Sequence, residues 1–158
     1  MGQFVKNTIT GKKIEKPEPI DIQIPFDGGV MITETDTAGI ITYANRKFID
    51  MIGYTKEELI GSSHNINIHP DMPKAVYKDM WRTIKAGHKW EGYVKNLCHD
   101  GTYYNVIITI KPKLDDGGNI IGYICGRKIA DEKLMKKALD EYKLMIEKEK
   151  GLHSIYHL

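Results

Sequence analysis

The chain has 158 residues, 41% of them hydrophobic, which suits one domain with a substantial core. Its net charge is only +2 and its basic residues are scattered, which argues against a nucleic-acid surface or attraction to an anionic membrane. Cys98 and Cys125 lie in apolar strand-like runs and are expected to be buried, reduced thiols. No apolar run approaches the roughly 18 residues that span a bilayer, and no signal-peptide pattern opens the chain. We therefore expect a cytoplasmic protein without direct membrane insertion.

The N-terminal part is predicted to be an arm followed by two strands. Residues 1–27 lack periodicity and carry several glycines and prolines, which indicates an irregular arm or cap. Its alternating residues 20–24 leave open a short edge strand or a docked segment. Residues 30–35 and 40–44 have the pattern of two strands around a turn.

Two short helices are predicted next from their capping residues. Asn45 is placed to cap a first helix, which ends at Gly53. Thr55 and Glu58 form a capping box for another helical turn.

A loop over residues 64–71 is predicted to lead into a longer helix. Pro73 suits the first turn of that helix, and Gly87 ends it. The apolar face of the helix has the spacing i, i+3, i+4, i+7 and consists of Tyr77, Met80, Trp81 and Ile84.

Three further strands are predicted at residues 89–98, 102–112 and 119–129. The connections between them, at residues 99–101 and 115–118, have strong hairpin chemistry. Two strands, short helices and three more strands predict an α+β fold, a five-stranded antiparallel sheet with short helices on one face.

Residues 131–150 are predicted to form an amphipathic helix, followed by a tail at 151–158. The helix has a narrow apolar stripe within a charged surface, made of Met135, Leu139, Tyr142 and Ile146. The pattern allows two interpretations: a helix that self-associates or docks on a partner, and a helix that packs back on its own sheet.

The ten residues 64–73 form the most distinctive motif of the chain, HNINIHPDMP. It is followed by Trp81, Trp90-Glu91-Gly92, Lys95-Asn96 and Asp100-Gly101. Over residues 32–130 this pattern resembles the sensory PAS domains of bacterial aerotaxis receptors. The resemblance implies a PAS fold with a sensor domain at 28–130 and a C-terminal signal helix.

The resemblance also implies a bound FAD. The positions that the family associates with this cofactor are matched here by Asn45, His69, Asp71, Trp81, Trp90 and Asn96. Asn96 offers the amide donor and acceptor that suit the uracil-like edge of a flavin.

Each of these residues also has an ordinary structural interpretation. Asn96 would then be an outward-facing strand residue, and His69 a solvated loop residue. Asp71 would cap the following helix, while Trp81 and Trp90 would pack in the core.

One family position differs in this chain. Family members typically carry an arginine immediately before the His-Pro-Asp sequence, and this chain has Ile68. The substitution removes a charge-assisted contact to the dinucleotide of about 1.5–3 kcal/mol. Lys74 or Arg46 is a candidate to replace it.

Haem b is the alternative cofactor, because some PAS domains hold haem through one histidine. His64 and His69 are the first candidates for the axial ligand, ahead of His88 and His99. No zinc-binding spacing, nucleophile elbow or phosphate loop occurs in the sequence, so we expect no enzyme and no metal site other than haem.

The predicted function is that of a PAS sensor of redox state or oxygen that uses a bound flavin. Its predicted partner is a chemotaxis transducer or another signalling protein in trans, and it is predicted to form a homodimer. A partner of this kind would place the protein at the membrane. A haem-based gas sensor and a cofactor-free interaction module are the alternatives. If the chain is complete, the pattern resembles bipartite energy-taxis systems, in which a lone PAS protein works with a membrane-bound partner. If it is a fragment of a larger protein, a kinase or a cyclase is an equal candidate for the output.

Overall fold

Five strands form the central sheet of the protein, in the order β4-β3-β7-β6-β5. The computed structural model describes residues 3–156, and describes side chains over residues 3–151. Every neighbouring pair in the sheet is antiparallel. The strands are β3 (Met31–Thr35), β4 (Ile41–Ala44), β5 (Trp90–Leu97), β6 (Tyr103–Leu114) and β7 (Ile120–Ile129). The predicted α+β fold and its five strands are confirmed.

The helices α1 to α3 cover the inner face of this sheet. They are α1 (Arg46–Ile52), α2 (Lys56–Leu59) and α3 (Lys74–Lys85), with a 3-10 helix (His64–Asn67) before α3. Residues 64–71 were predicted to be a loop, but residues 64–67 form this short helix. The Ser63 side chain caps it by accepting a hydrogen bond from Asn65 N. The core lies between the helices and alternate strand residues, and includes Met31, Phe48, Ile84, Val94 and Val106.

Residues 3–27 have more regular structure than the irregular arm predicted for residues 1–27, of which residues 1–2 lie outside the described residues. β1 (Phe4–Lys6) and β2 (Lys13–Glu15) form a hairpin whose turn contains Gly11, with φ of 74°. The hairpin is anchored by Asn7, which is fully buried and donates from Nδ2 to backbone carbonyls around the end of α2. Residues 20–24 dock beside β6, where Gln23 forms a parallel bridge with Tyr103. Strands of three residues are too short to produce a recognisable alternation, and the anchor depends on a distant segment.

The C-terminal helix α4 (Glu132–Tyr156) packs against its own domain. Met135 is buried, and the Tyr142 hydroxyl donates to Tyr93 O of β5 at 2.8 Å. The helix continues through residues 151–156, where a tail was expected, because an exposed glycine such as Gly151 costs a helix only about 1 kcal/mol. Residues 157–158 of the expected tail lie outside the described residues. Of the two interpretations of the apolar stripe, the structure has the packed helix.

Candidate functional site

A cavity of about 1210 Å³ lies between α3 and the inner face of the sheet. Small-molecule pockets typically have volumes of about 300–1000 Å³, so this one accommodates a large organic ligand. Its apolar wall comes from α3, β5 and β6, and includes Met80, Ile84, Val94, Leu97, Ile108 and Ile110. The cavity therefore has the volume and the apolar surface that a planar aromatic molecule requires.

Three of the six residues predicted to bind the cofactor line this cavity: His69, Trp81 and Asn96. The other three, Asn45, Asp71 and Trp90, are not among its lining residues. The structure thus separates the predicted set into two groups, and the contacts of each residue explain its placement.

Asn96 lies on the inward face of β5 and is 4% exposed. Its Nδ2 donates to the Tyr104 hydroxyl at a distance of 3.4 Å, and the side chain lines the cavity. The alternative in which Asn96 faces outward is wrong. The segment that follows the 3-10 helix lies against this strand, since Ile68 forms an antiparallel backbone bridge with Asn96.

Trp81 lies on the cavity side of α3. Its ring packs edge to face on Tyr123, with a centroid distance of 5.7 Å. The Cβ of any larger residue at Gly39, where φ is 83°, would lie 3.2 Å from the Trp81 ring. Backbone and aromatic neighbours therefore hold the indole in place at the cavity wall.

Trp90 and Asn45 contribute to the framework around the cavity. Trp90 Nε1 donates to Asp79 on α3 at 3.0 Å, in a groove between α3, β5 and α4. Asn45 Oδ1 accepts from Phe48 N at 3.1 Å, as predicted for the cap of α1, and also from Ile32 N at 3.0 Å. Both side chains are engaged away from the cavity.

Asp71 does not cap α3, so that interpretation is wrong. The residue at the start of the helix is Pro73, which has no side-chain cap. Asp71 pairs with Lys95 at 2.8 Å instead. Burial opposes ionisation of Asp71, but the Lys95 ammonium outweighs it and holds the pKa of the carboxyl below its usual value. The cap comes from α4, where the Glu149 carboxylate accepts from Lys74 N and Ala75 N, both at 3.1 Å.

His69 is buried at the cavity wall rather than solvated. Burial, together with the nearby Lys95 ammonium, lowers its pKa to about 4, so the ring is neutral at pH 7. Its Nδ1 accepts a hydrogen bond from Asp71 N at 3.0 Å. Because Nδ1 is the acceptor, the proton of the neutral ring lies on Nε2, which is then a donor.

A polar cluster made of Thr33, His64, Asn67 and Arg127 lies beside the same cavity, and its last three members line it. Arg127 is 3% exposed and donates to Thr33 Oγ1 at 3.1 Å and to His64 Nε2 at 2.8 Å. Its guanidinium carbon also lies 4.8 Å from the centre of the Phe48 ring. The sequence prediction did not include Arg127, although its position in β7, two residues after Cys125 and four after Tyr123, places it on the same inward face.

The protonation state of His64 follows from its neighbours. Burial and the positive charge of Arg127 lower its pKa to about 3, so the ring is neutral. Arginine only donates hydrogen bonds, so Nε2 is the acceptor and the proton lies on Nδ1. Nδ1 then donates to Asn67 Oδ1 at 3.0 Å. Asn67 Nδ2 and Arg127 Nε have no hydrogen-bond partner among the described residues.

The candidates to replace the missing family arginine are placed differently. Lys74 lines the cavity, whereas Arg46 does not. Ile68 also lines it, and its carbonyl accepts from Lys16 Nζ at 3.0 Å. A lysine from the N-terminal segment thus lies beside the position where the family has its arginine.

The remaining candidates for chemistry are the two cysteines and two further histidines. Cys98 and Cys125 are free and buried, and burial raises the pKa of both thiols. His88 and His99 do not line the cavity. Across the described residues, no three His, Cys, Asp or Glu side chains come together in a way that would hold a metal ion. The described helices include none of the length and apolarity that a membrane span requires.

Comparison with known proteins identifies the family of this chain. The PAS fold model matches residues 28–127, and the chain belongs to the PAS family. It is 41% identical over 109 residues to the aerotaxis receptor of Escherichia coli strain K12, covering 68% of this chain and 21% of the receptor. The resemblance to aerotaxis receptors is therefore confirmed.

A second relative has a lower identity. The nitrogen fixation regulatory protein of Klebsiella pneumoniae is 28% identical over 120 residues, covering 76% of this chain and 24% of that protein. The chain spans about a quarter or less of the length of these two relatives.

Solved structures show the same fold. The light-state structure of the LOV domain of the blue-light photoreceptor Aureochrome1 has a TM-score of 0.60 and 21% identity, covering 76% of this chain and 91% of that one. A PAS domain from Colwellia psychrerythraea has a TM-score of 0.59 and 22% identity, covering 64% and 86%.

Proposed function

We propose that this PAS domain binds FAD in the cavity between α3 and the sheet, and reports redox state or oxygen to a chemotaxis transducer. The observation that carries the proposal is the cavity itself, with its apolar wall and buried polar side chains, in a chain that is 41% identical to an aerotaxis receptor. A ring system with one polar edge matches such a surface.

The lining residues fit the flavin ring. Trp81 and Tyr77 provide aromatic surface on the α3 side, and Val94 and Ile108 provide aliphatic surface on the sheet. Asn96 supplies a buried amide that is able to donate and accept. A bound flavin supplies electron-transfer chemistry, while the protein binds and orients it and excludes water.

The charge of the lining fits a dinucleotide. Besides the buried Arg127, the lining contains five basic residues: Lys16, Lys74, Lys78, Arg82 and Lys85. Within the described part of the chain, Glu18 is the single acidic residue on the same lining. An anionic diphosphate is attracted to such a surface, which supports FAD even with Ile68 at the family's arginine position.

The haem alternative has weaker support from the two histidines considered first. Both ring nitrogens of His64 are engaged, Nε2 by Arg127 and Nδ1 by Asn67. The neutral ring of His69 carries its proton on Nε2, since Nδ1 accepts from Asp71 N. An iron ligand needs a free lone pair on a neutral imidazole nitrogen. Each histidine would have to give up existing hydrogen bonds to supply one.

We propose α4 as the output element. Glu149 binds the first amides of α3, a helix that lines the cavity, and Tyr142 binds Tyr93, which precedes the lining residue Val94. A ligand shifts a conformational equilibrium only through contacts that differ between the two states. Movement of α3 or β5 changes the contacts of α4 directly. Homodimerisation and the transducer partner stay predictions that come from the family resemblance.

An absorption spectrum of the purified protein, followed by titration with FAD, tests the proposal. Bound or readily acquired FAD, with weaker binding in Asn96→Ala, supports it. Asn105→Ala is the matched control, because Asn105 lies on the same sheet but alternates with the inward residues Tyr104 and Val106. An intense Soret band would establish haem instead. A colourless protein that acquires no FAD would leave the cofactor-free interaction module.

A further inference from the structure

The polar cluster contains a buried positive charge without a counter-charge. Arg127 is 3% exposed, yet its partners are the neutral groups of Thr33 and His64 and the face of Phe48. None of the ion pairs formed by the described residues includes Arg127. Buried charges in proteins are normally paired, because desolvation of an isolated ion is unfavourable. Among the described residues, the cluster therefore lacks a negatively charged acceptor.

The same cluster leaves two donors unused on the cavity. The proton on His64 Nδ1 fixes Asn67 Oδ1 as its acceptor, which identifies Nδ2 as the free end of the amide. Asn67 is 3% exposed, and its Nδ2 and the Nε of Arg127 have no hydrogen-bond partner in the described structure. Buried polar groups are nearly always satisfied, by the protein, by water or by a ligand. Both residues line the cavity, so a ligand is able to reach them.

We infer that Asn67 and Arg127 form the acceptor-binding end of the cavity. They hold a ring carbonyl or a deprotonated ring nitrogen of the ligand, an edge that carries negative charge. This inference rests on the proposed flavin function and extends it, because it assigns the counter-charge of Arg127 to the ligand. Arg127 lies deep in the fold, whereas Lys74, Lys78, Arg82 and Lys85 are exposed. The ring edge therefore belongs to Arg127, and phosphate belongs to the exposed basic residues.

The assignment has a consequence for the response to reduction. A reduced flavin ring holds more negative charge on its carbonyl edge than an oxidised one. A fixed guanidinium beside that edge favours the reduced ligand. Arg127 also contacts Thr33 on β3 and His64 on the 3-10 helix, so a change of ligand charge acts on three elements at once.

The substitution Asn67→Asp tests the inference. It replaces the free donor with a carboxylate that still accepts from His64 Nδ1 and adds a negative charge to the cluster that contains Arg127. We expect about tenfold or more weaker binding of both FAD and riboflavin, with unchanged or higher thermal stability, because a charged acceptor repels the ligand's acceptor edge. Asn105→Asp makes the same change away from the cavity and should bind both flavins normally.

Riboflavin has the flavin ring but lacks the diphosphate, so it distinguishes these two acceptors. If Asn67→Asp lost FAD binding but bound riboflavin normally, Arg127 would belong to the phosphate and the inference would be overturned. Unchanged binding of both flavins by Asn67→Asp would overturn it as well, while leaving the proposed function in place. A wild-type protein that binds neither flavin would refute both.

Arg127→Lys and Arg127→Met provide a second readout that does not depend on Asn67. In Arg127→Met, binding of dithionite-reduced FAD should weaken more than binding of oxidised FAD. The dissociation constant for reduced FAD divided by that for oxidised FAD should therefore rise. Arg127→Lys should shift less, because it keeps the charge and loses the planar fork. An equal ratio in wild type and Arg127→Met would contradict the inference. Urea unfolding of both variants separates this effect from a loss of folding.

Discussion

The contact between Glu149 and the start of α3 leads to the most specific stability prediction. α3 begins at Pro73 without a side-chain cap, and the Glu149 carboxylate accepts hydrogen bonds from Lys74 N and Ala75 N instead. Glu149→Ala removes both bonds and a negative charge from the positive end of the helix dipole. Loss of a cap costs about 0.5–2 kcal/mol and loss of the charge about 0.3–1 kcal/mol. We expect the free energy of unfolding to fall by about 1–2 kcal/mol.

Equilibrium unfolding in urea and amide hydrogen exchange measure the two parts of this prediction. The free energy should fall in Glu149→Ala and by less in Glu149→Gln, which keeps one acceptor oxygen. Exchange at Lys74 and Ala75 should become faster. Glu147→Ala is the matched control, because Glu147 is an exposed glutamate on the same helix.

The reasoning would be refuted if Glu149→Ala and Glu147→Ala unfolded with the same free energy and exchange at Lys74 and Ala75 were unchanged. Glu149 does not line the cavity, so FAD content should not change. A loss of FAD in Glu149→Ala would mean that α4 supports the cavity and is not merely attached to it.

Three further predictions concern the cavity. Asn96→Ala should leave the fold intact and weaken FAD binding by about 3–10-fold, the effect of one lost neutral hydrogen bond, as measured by fluorescence titration. Ile68→Arg should tighten FAD binding by about tenfold or more, because it restores a charge-assisted contact; unchanged or weaker binding would contradict the family placement of the dinucleotide. His64 has a pKa of about 3 against an ordinary 6.5, so between these values the unfolded chain binds a proton that the folded protein does not. Stability should therefore fall on acidification through this range, by up to about 1.4 kcal/mol per pH unit, and His64→Gln should flatten that slope while His88→Gln should not.

Much of the fold follows from interactions between residues close in the chain. Asn45 caps α1 through Phe48 N, and Thr55 and Glu58 form their capping box within one turn. The hairpin between β6 and β7 is closed by Asp115, whose side chain accepts from Asn119 N. Such features depend on residue type and spacing alone, so they are visible in the sequence.

The candidate site was only partly predictable, because it depends on contacts between distant parts of the chain. Trp81 and Asn96 lie on the cavity, but Asn45 and Trp90 share the family pattern and serve as framework. A strand with a polar residue at an alternating position has two faces, and the sequence of that strand does not indicate which one is buried.

The sequence by itself determined the five strands, the short helices and their caps, and the family motif at residues 64–73. Only the tertiary structure decided the partners of Arg127, which bonds to His64 across 63 positions in the chain, and of Glu149, which bonds to Lys74 across 75. It also decided that α4 packs on its own domain. The physical reason is range: caps and turns are satisfied within a few residues, whereas a buried charge or an uncapped helix end is satisfied by whichever distant group the packed chain brings to it.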